Sequence, residues 1–158
     1  MAEVGNNTDC PFCKSGIKDL SFFENEKFIA IYNIAPILPG HALVIPKKHI
    51  TSFFDLTDEE LFEFVKFSKS VIKILSKAFN TDAFNWTLQE KDEAGQSIAH
   101  MHIHIIPRKP EDLPHPGDWY PKLKYNINNI PDSHKRQRLN SDQLKVIVRK
   151  LKKESAQV

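Results

Sequence analysis

His100-Met101-His102-Ile103-His104-Ile105-Ile106 alternates imidazole and apolar side chains, and a period of two reads as an extended strand. The three rings are then expected on one face, roughly 6.5–7 Å apart along the chain, with Met101, Ile103 and Ile105 on the other. Folding alone gives no reason to put three ionisable rings on one side of a hydrophobic strand. An affinity tag is terminal and contiguous, and this run is neither. An all-histidine metal site and a partly solvated strand face are the plainer alternatives.

The rest of the composition narrows the field. The chain has 158 residues, 41% of them hydrophobic and 11 of them Phe, which reads as one domain able to bury a core. A formal charge of +2 is too balanced to argue for a nucleic-acid or membrane partner. Met1 to Asn7 carries neither a basic nor an apolar run, so no secretory signal is read there. No stretch is apolar enough for a membrane span. Cys10 and Cys13, the only cysteines, are too close in sequence to staple distant elements. A reducing, cytoplasmic setting is the expectation.

Along the chain, residues 1–9 read as a loose polar start and Cys10 to Gly16 as a tight turn. Strands are expected at Phe28–Tyr32, Ala42–Ile45, Phe84–Leu88 and His100–Ile106, the second stopped by Pro46 and the last by Pro107. Thr57 with Glu60 forms a capping box for a long helix whose inner stripe reads Leu61, Val65, Ser68, Ile72, Leu75 and Phe79, widened by Phe64, Val71 and Ala78. Lys109 to Asp118 is proline-rich and irregular. Ser141 to Lys153 reads as a basic helix with Leu144, Ile147, Val148 and Leu151 inward. Strands interrupted by one long helix predict an α+β fold, an antiparallel sheet with helices on one side.

Cys10-Pro11-Phe12-Cys13 is open to two chemistries. A redox dithiol wants its first thiolate at a helix N-terminus inside a βαβ unit, and Lys14-Ser15-Gly16 offers no such helix. Half of a zinc site needs two further ligands, and His41, His49, His100, His102, His104, His115 and His134 are the candidates. An unligated thiol pair is the third possibility. Gly95-Gln96-Ser97, just before the histidines, has a permissive glycine and two oxygen-seeking side chains suited to a phosphate; such loops are often plain turns.

Taken together, these motifs resemble the histidine triad (HIT) family of nucleotide hydrolases and transferases. His100 to Ile106 satisfies its His-x-His-x-His-x-x signature, and Asn33 to Pro46 resembles its nucleoside-side segment, so the likeness covers roughly residues 10–108. The resemblance implies a HIT-like sheet of about five strands with one long helix and a C-terminal helix. Residues 10–108 would be the catalytic part, and 109–158 an extension of the same domain. It further implies His102 as nucleophile toward the α-phosphorus, its second ring nitrogen donating to a backbone carbonyl. His104, His41 and Gln96 would act on the phosphate, with Gly95 and Ser97 beside it. Asn33 would bind the ribose, Gln89 would reach further phosphates, and Phe12, Ile31, Ile34 and Leu43 would form the base pocket. Bacterial members place structural zinc on residues that correspond to Cys10, Cys13, His49 and His100.

Two branches fit. Gln89 and Glu93-Ala94-Gly95-Gln96 are similar to Fhit-type dinucleoside polyphosphate hydrolases, whereas Leu43 to Ile50 is similar to Hint-type nucleoside phosphoramidases. The expectation is hydrolysis of dinucleoside polyphosphates, with the phosphoramidase as alternative. A nucleotide-binding sensor of weak turnover is the reading from another class. A homodimer is also implied, with the sheet continued across the interface. Phe62, Phe64 and Phe67 are read as apolar surface beyond the helix's inner stripe.

Overall fold

The computed structural model describes residues 9–123 and 136–158. Its centre is a five-stranded antiparallel sheet: β1 (Ser21–Glu24), β2 (Phe28–Tyr32), β3 (Ala42–Pro46), β4 (Ala83–Leu88) and β5 (Ile103–Arg108), in the order β1-β2-β3-β5-β4. Helix α1 (Asp58–Phe79) connects β3 to β4, and α2 (Ser141–Ser155) follows β5. The α+β expectation holds. Residues 1–8 and His134, for which readings were offered above, lie outside the described residues.

Period-two alternation sorts the strand side chains between two layers. Phe28, Ala30, Tyr32, Ala42, Val44, Ile103 and Ile105 join α1 and α2 in the main core, where Met101 also packs. Ile29, Ile31, Leu43 and Ile45 face the opposite side, covered by Phe12, Ile17 and Leu20 of the N-terminal segment. His104 pairs with Leu43, and Leu43 with Ile31. The triad therefore belongs to this second face, away from the helices.

α1 starts where the capping box puts it. Thr57 Oγ1 accepts from the Glu60 N–H at 3.2 Å, and Glu60 returns the bond to the Thr57 N–H at 3.0 Å. Asn80 ends it in the left-handed conformation.

Three local expectations need correction. β1 was not anticipated: only four residues long, it pairs with β2 through an irregularity between Ser21 and Phe23 that breaks its alternation. The triad strand begins at Ile103 rather than His100, because pairing with β3 starts at Val44–Ile103. It runs through Pro107, whose missing N–H is tolerated because the β3 pairing ends at Ile105. The helix stripe is also rotated. Phe64 and Phe67 are buried in the core, while Val65 is 51% and Phe62 72% exposed. Phe23 and Phe28 decide that phase by packing on Phe67.

Candidate functional site

β3, β5 and the chain just before β5 bring the histidines together. His41 sits at the entrance to β3, behind Gly40, whose φ of 94° demands a residue without Cβ. The Gly40 N–H donates to the Tyr32 hydroxyl at 3.0 Å, fixing the approach. His41 is fully buried, and His102 and His104 nearly so.

Their hydrogen bonds define a chain of tautomers. The Ile37 N–H donates to His41 Nδ1 at 3.1 Å, so that nitrogen carries no proton. His41 Nε2–H then donates to His104 Nδ1, 2.9 Å away. The His104 proton is left on Nε2. Burial pushes the pKa of His41 down to about 3, with the charge of Arg136 and, whenever it is protonated, that of His102 adding to the effect. His104 is lowered for the same first reason, with further contributions from His102, His41 and Arg136. Both rings therefore stay neutral at physiological pH.

His102 is oriented independently. Its Nδ1–H donates to the His100 carbonyl at 2.8 Å, which in the neutral ring puts the lone pair on Nε2. Phe12 packs edge-on to the ring at 5.1 Å between centroids. A cavity of about 410 Å³ opens beside His102 and His104. Phe12, Ile31, Ile34 and Leu43 supply apolar wall, and Asn33 and Ser97 polar groups. Such a space suits a flat apolar ring at one end and an anion at the other.

Three expected site residues stand back from this cavity. The Gln96 side chain accepts from the Lys91 N–H at 2.7 Å and donates to the Thr51 carbonyl at 3.4 Å, bracing the preceding loop. Gly95 takes a φ of 90°, which makes that loop possible. Gln89 donates to Thr87 Oγ1 at 3.0 Å, and its Oε1 is buried without a hydrogen-bond partner among the described residues.

Cys10, Cys13, His49 and His100 converge from three segments, their ligand atoms all within 4.8 Å of one another. Cys10 Sγ and Cys13 Sγ lie 3.4 and 3.6 Å from His100 Nδ1, and Cys13 Sγ lies 3.3 Å from His49 Nδ1. The two Nδ1 atoms are 3.3 Å apart. Tetrahedral zinc with ordinary Zn–S and Zn–N bonds implies S···N separations of roughly 3.6 Å and N···N of roughly 3.3 Å. His100 Nε2–H donates to the Pro46 carbonyl at 2.9 Å, which turns its bare Nδ1 toward the cluster. The donor set and its spacing thus fit a four-coordinate metal. Neither cysteine is in a disulfide, and His115 is an exposed residue outside the cluster.

Comparison with known proteins agrees with this geometry. A profile of the HIT domain matches residues 14–111. Over 119 residues the chain is 35% identical to a bis(5'-nucleosyl)-tetraphosphatase (asymmetrical) of Schizosaccharomyces pombe, covering 75% of this chain and 65% of that protein, just under two thirds of its length. It is 36% identical over 103 residues to a bis(5'-adenosyl)-triphosphatase of Dictyostelium discoideum, covering 65% of this chain and 69% of that one. The crystal structure of Plasmodium falciparum diadenosine triphosphate hydrolase, in complex with cyclomarin A, superposes with a TM-score of 0.70 at 26% identity, covering 89% of this chain and 78% of that one.

Proposed function

The chain belongs to the HIT family, and from that premise we propose that it hydrolyses dinucleoside polyphosphates at the α-phosphate through a covalent nucleotidyl–His102 intermediate. One observation carries the reading: His102 Nδ1–H donates to the His100 carbonyl, so that in the neutral ring the opposite nitrogen holds the nucleophilic lone pair. The Nε2 lone pair forms a P–N bond as the bond between the α-phosphorus and its bridging oxygen breaks, and that electron pair leaves with the second nucleotide. Water then forms a new P–O bond, the P–N bond breaks, and the water proton passes to solvent. His104 Nε2–H donates to a phosphate oxygen as negative charge redistributes. His41 acts through His104, holding its tautomer. Asn33 and the apolar wall receive the nucleoside. Gln96 and Gly95 support Ser97 at the phosphate end by shaping the loop.

Cys10, Cys13, His49 and His100 would hold zinc as a closed structural centre. When bound, zinc supplies cross-linking of the N-terminal turn to the segment bearing His102. The thiolates require a reducing compartment, in keeping with a cytoplasmic protein; among the described residues no helix is long and apolar enough to cross a membrane. The protein acts as a homodimer in this reading. β4 is a sheet edge whose Phe84 and Trp86 are 44% and 40% exposed, an apolar edge of the kind that proteins cover.

The test is a comparison of kcat/KM on diadenosine triphosphate, diadenosine tetraphosphate and an adenosine phosphoramidate. The polyphosphates should be preferred. A preference for the phosphoramidate would favour the Hint-type chemistry, and nucleotide binding without turnover would favour a sensor.

A further inference from the structure

Two residues of the nucleotide cavity come from beyond the stretch that matches the family: Arg136 and Arg138, after residue 111. The segment is docked by specific bonds. The Leu139 N–H donates to the Ile34 carbonyl at 2.9 Å. Arg136 Nε–H donates to the Ala35 carbonyl at 2.6 Å, and its Nη1 donates to the Lys122 carbonyl at 2.8 Å. Leu139 packs against the main core, and Asn140 caps α2 immediately afterwards. A guanidinium held at two nitrogens by main-chain carbonyls keeps its plane and position.

The surroundings point to an anion. Arg136, Arg138 and Lys14 line the same cavity as His102 and His104, and no described residue lining it is a carboxylate. The charge of Arg136 reaches both His41 and His104, which places it within electrostatic range of the phosphate end. A guanidinium carries a permanent positive charge that suits phosphate oxygens.

We propose that Arg136 and Arg138 form a clamp that binds the substrate phosphates beyond the α-phosphate, making this segment the determinant that selects polyphosphate chains over single-phosphate nucleotides. The proposal rests on the functional reading above and deepens it. A phosphoramidate has no second phosphate for the clamp, whereas a dinucleoside polyphosphate offers several. Binding energy from those remote groups is available to the transition state of the long substrate alone. Negative charge also grows on the departing phosphate, where a positioned cation is most effective.

Arg138 is exposed, so Arg138→Ala tests the clamp without disturbing the core. Losing one charge-assisted phosphate contact should lower kcat/KM on diadenosine tetraphosphate by about tenfold or more. Activity on an adenosine phosphoramidate should fall by a clearly smaller factor, because the lost phosphate contact has no counterpart there. Arg136→Lys removes the fork and with it the bonds to the Ala35 and Lys122 carbonyls, so it should cost some thermal stability as well as activity on the polyphosphate, although the charge remains. Equal losses on both substrates would overturn the proposal. A second readout needs no turnover: affinities of AMP, ADP and ATP for the His102→Ala protein, by calorimetry. Affinity should rise with phosphate number, and Arg138→Ala should flatten that rise. Identical gradients with and without Arg138 would also overturn it. Should the wild type cleave no dinucleoside polyphosphate, the hydrolase reading fails, while a gradient abolished by Arg138→Ala still supports the clamp.

Discussion

Lowering the pH should destabilise this protein through His41 and His104, by an amount the site geometry sets. Both nitrogens of His41 are engaged: Nδ1 accepts from the Ile37 N–H and Nε2–H donates to His104. A proton added to His41 Nδ1 would face the Ile37 N–H, and one added to His104 Nδ1 would face the His41 N–H. Burial, the largest cause, lowers both pKa values, that of His41 to about 3. The unfolded chain titrates near 6.5, so below that pH the unfolded state binds the extra protons and stability falls as pH falls. Stability from this source is complete above about pH 7. Between pH 7.5 and 5.5 His41 alone costs on the order of 1 kcal/mol, and His104 adds to the loss in the same direction. Urea unfolding across that interval, for the wild type and for a His41→Gln/His104→Gln variant, measures it. The difference between the two proteins isolates this pair from the other histidines. The wild type should lose at least about 1 kcal/mol more than the variant. Parallel profiles, or a wild type that gains stability on acidification, would refute the neutral His41–His104 chain.

Other outcomes follow from the same structure. Gly40→Ala puts a Cβ 2.7 Å from Pro107 Cγ and 3.0 Å from Phe79 Cδ2 at a positive φ; thermal denaturation should register a loss of about 2–4 kcal/mol, and an unchanged melting temperature would contradict the packing. Metal analysis should read about one zinc per chain, falling well below that in Cys10→Ser, with a lower melting temperature in the variant; a metal-free wild type with a Cys10–Cys13 disulfide would point to redox chemistry instead. Light scattering should give about twice the 18.2 kDa chain mass, and Trp86→Lys on the β4 edge should shift it toward one chain; a monomeric wild type at micromolar concentration would dismiss the dimer.

What could be read from the sequence depended on how local each signal is. The Thr57–Glu60 box is complete within four residues, and the helix starts there. The alternation of Met101, Ile103 and Ile105 against the histidines held even where β pairing has not begun, because extended chain alternates with or without a partner. Helix phase was less legible. With Phe62, Phe64, Val65 and Phe67 all apolar, the period admits several stripes, and only the contacts of Phe67 with Phe23 and Phe28 select one. The metal cluster was found by residue type and family likeness, since spacing alone left seven histidines to choose from. Gln96 and Gln89 look like phosphate ligands in one dimension; their amides turn instead to Lys91, Thr51 and Thr87, partners fixed by loop closure. Arg136 and Arg138 carried no signal at all. No periodicity or motif surrounds them, and they reach the cavity only because their segment docks on the Ile34 and Ala35 carbonyls.

The central claim is that His102 carries the nucleotide during turnover. Enzyme in excess over diadenosine tetraphosphate labelled at the α-phosphorus, quenched within one turnover at alkaline pH and resolved by peptide mass, tests it most directly. The account predicts an adenylyl group on the peptide bearing His102, appearing and decaying at the rate of product formation, and absent from His102→Ala. Full turnover with no covalent adduct, or an adduct that survives His102→Ala, would contradict it.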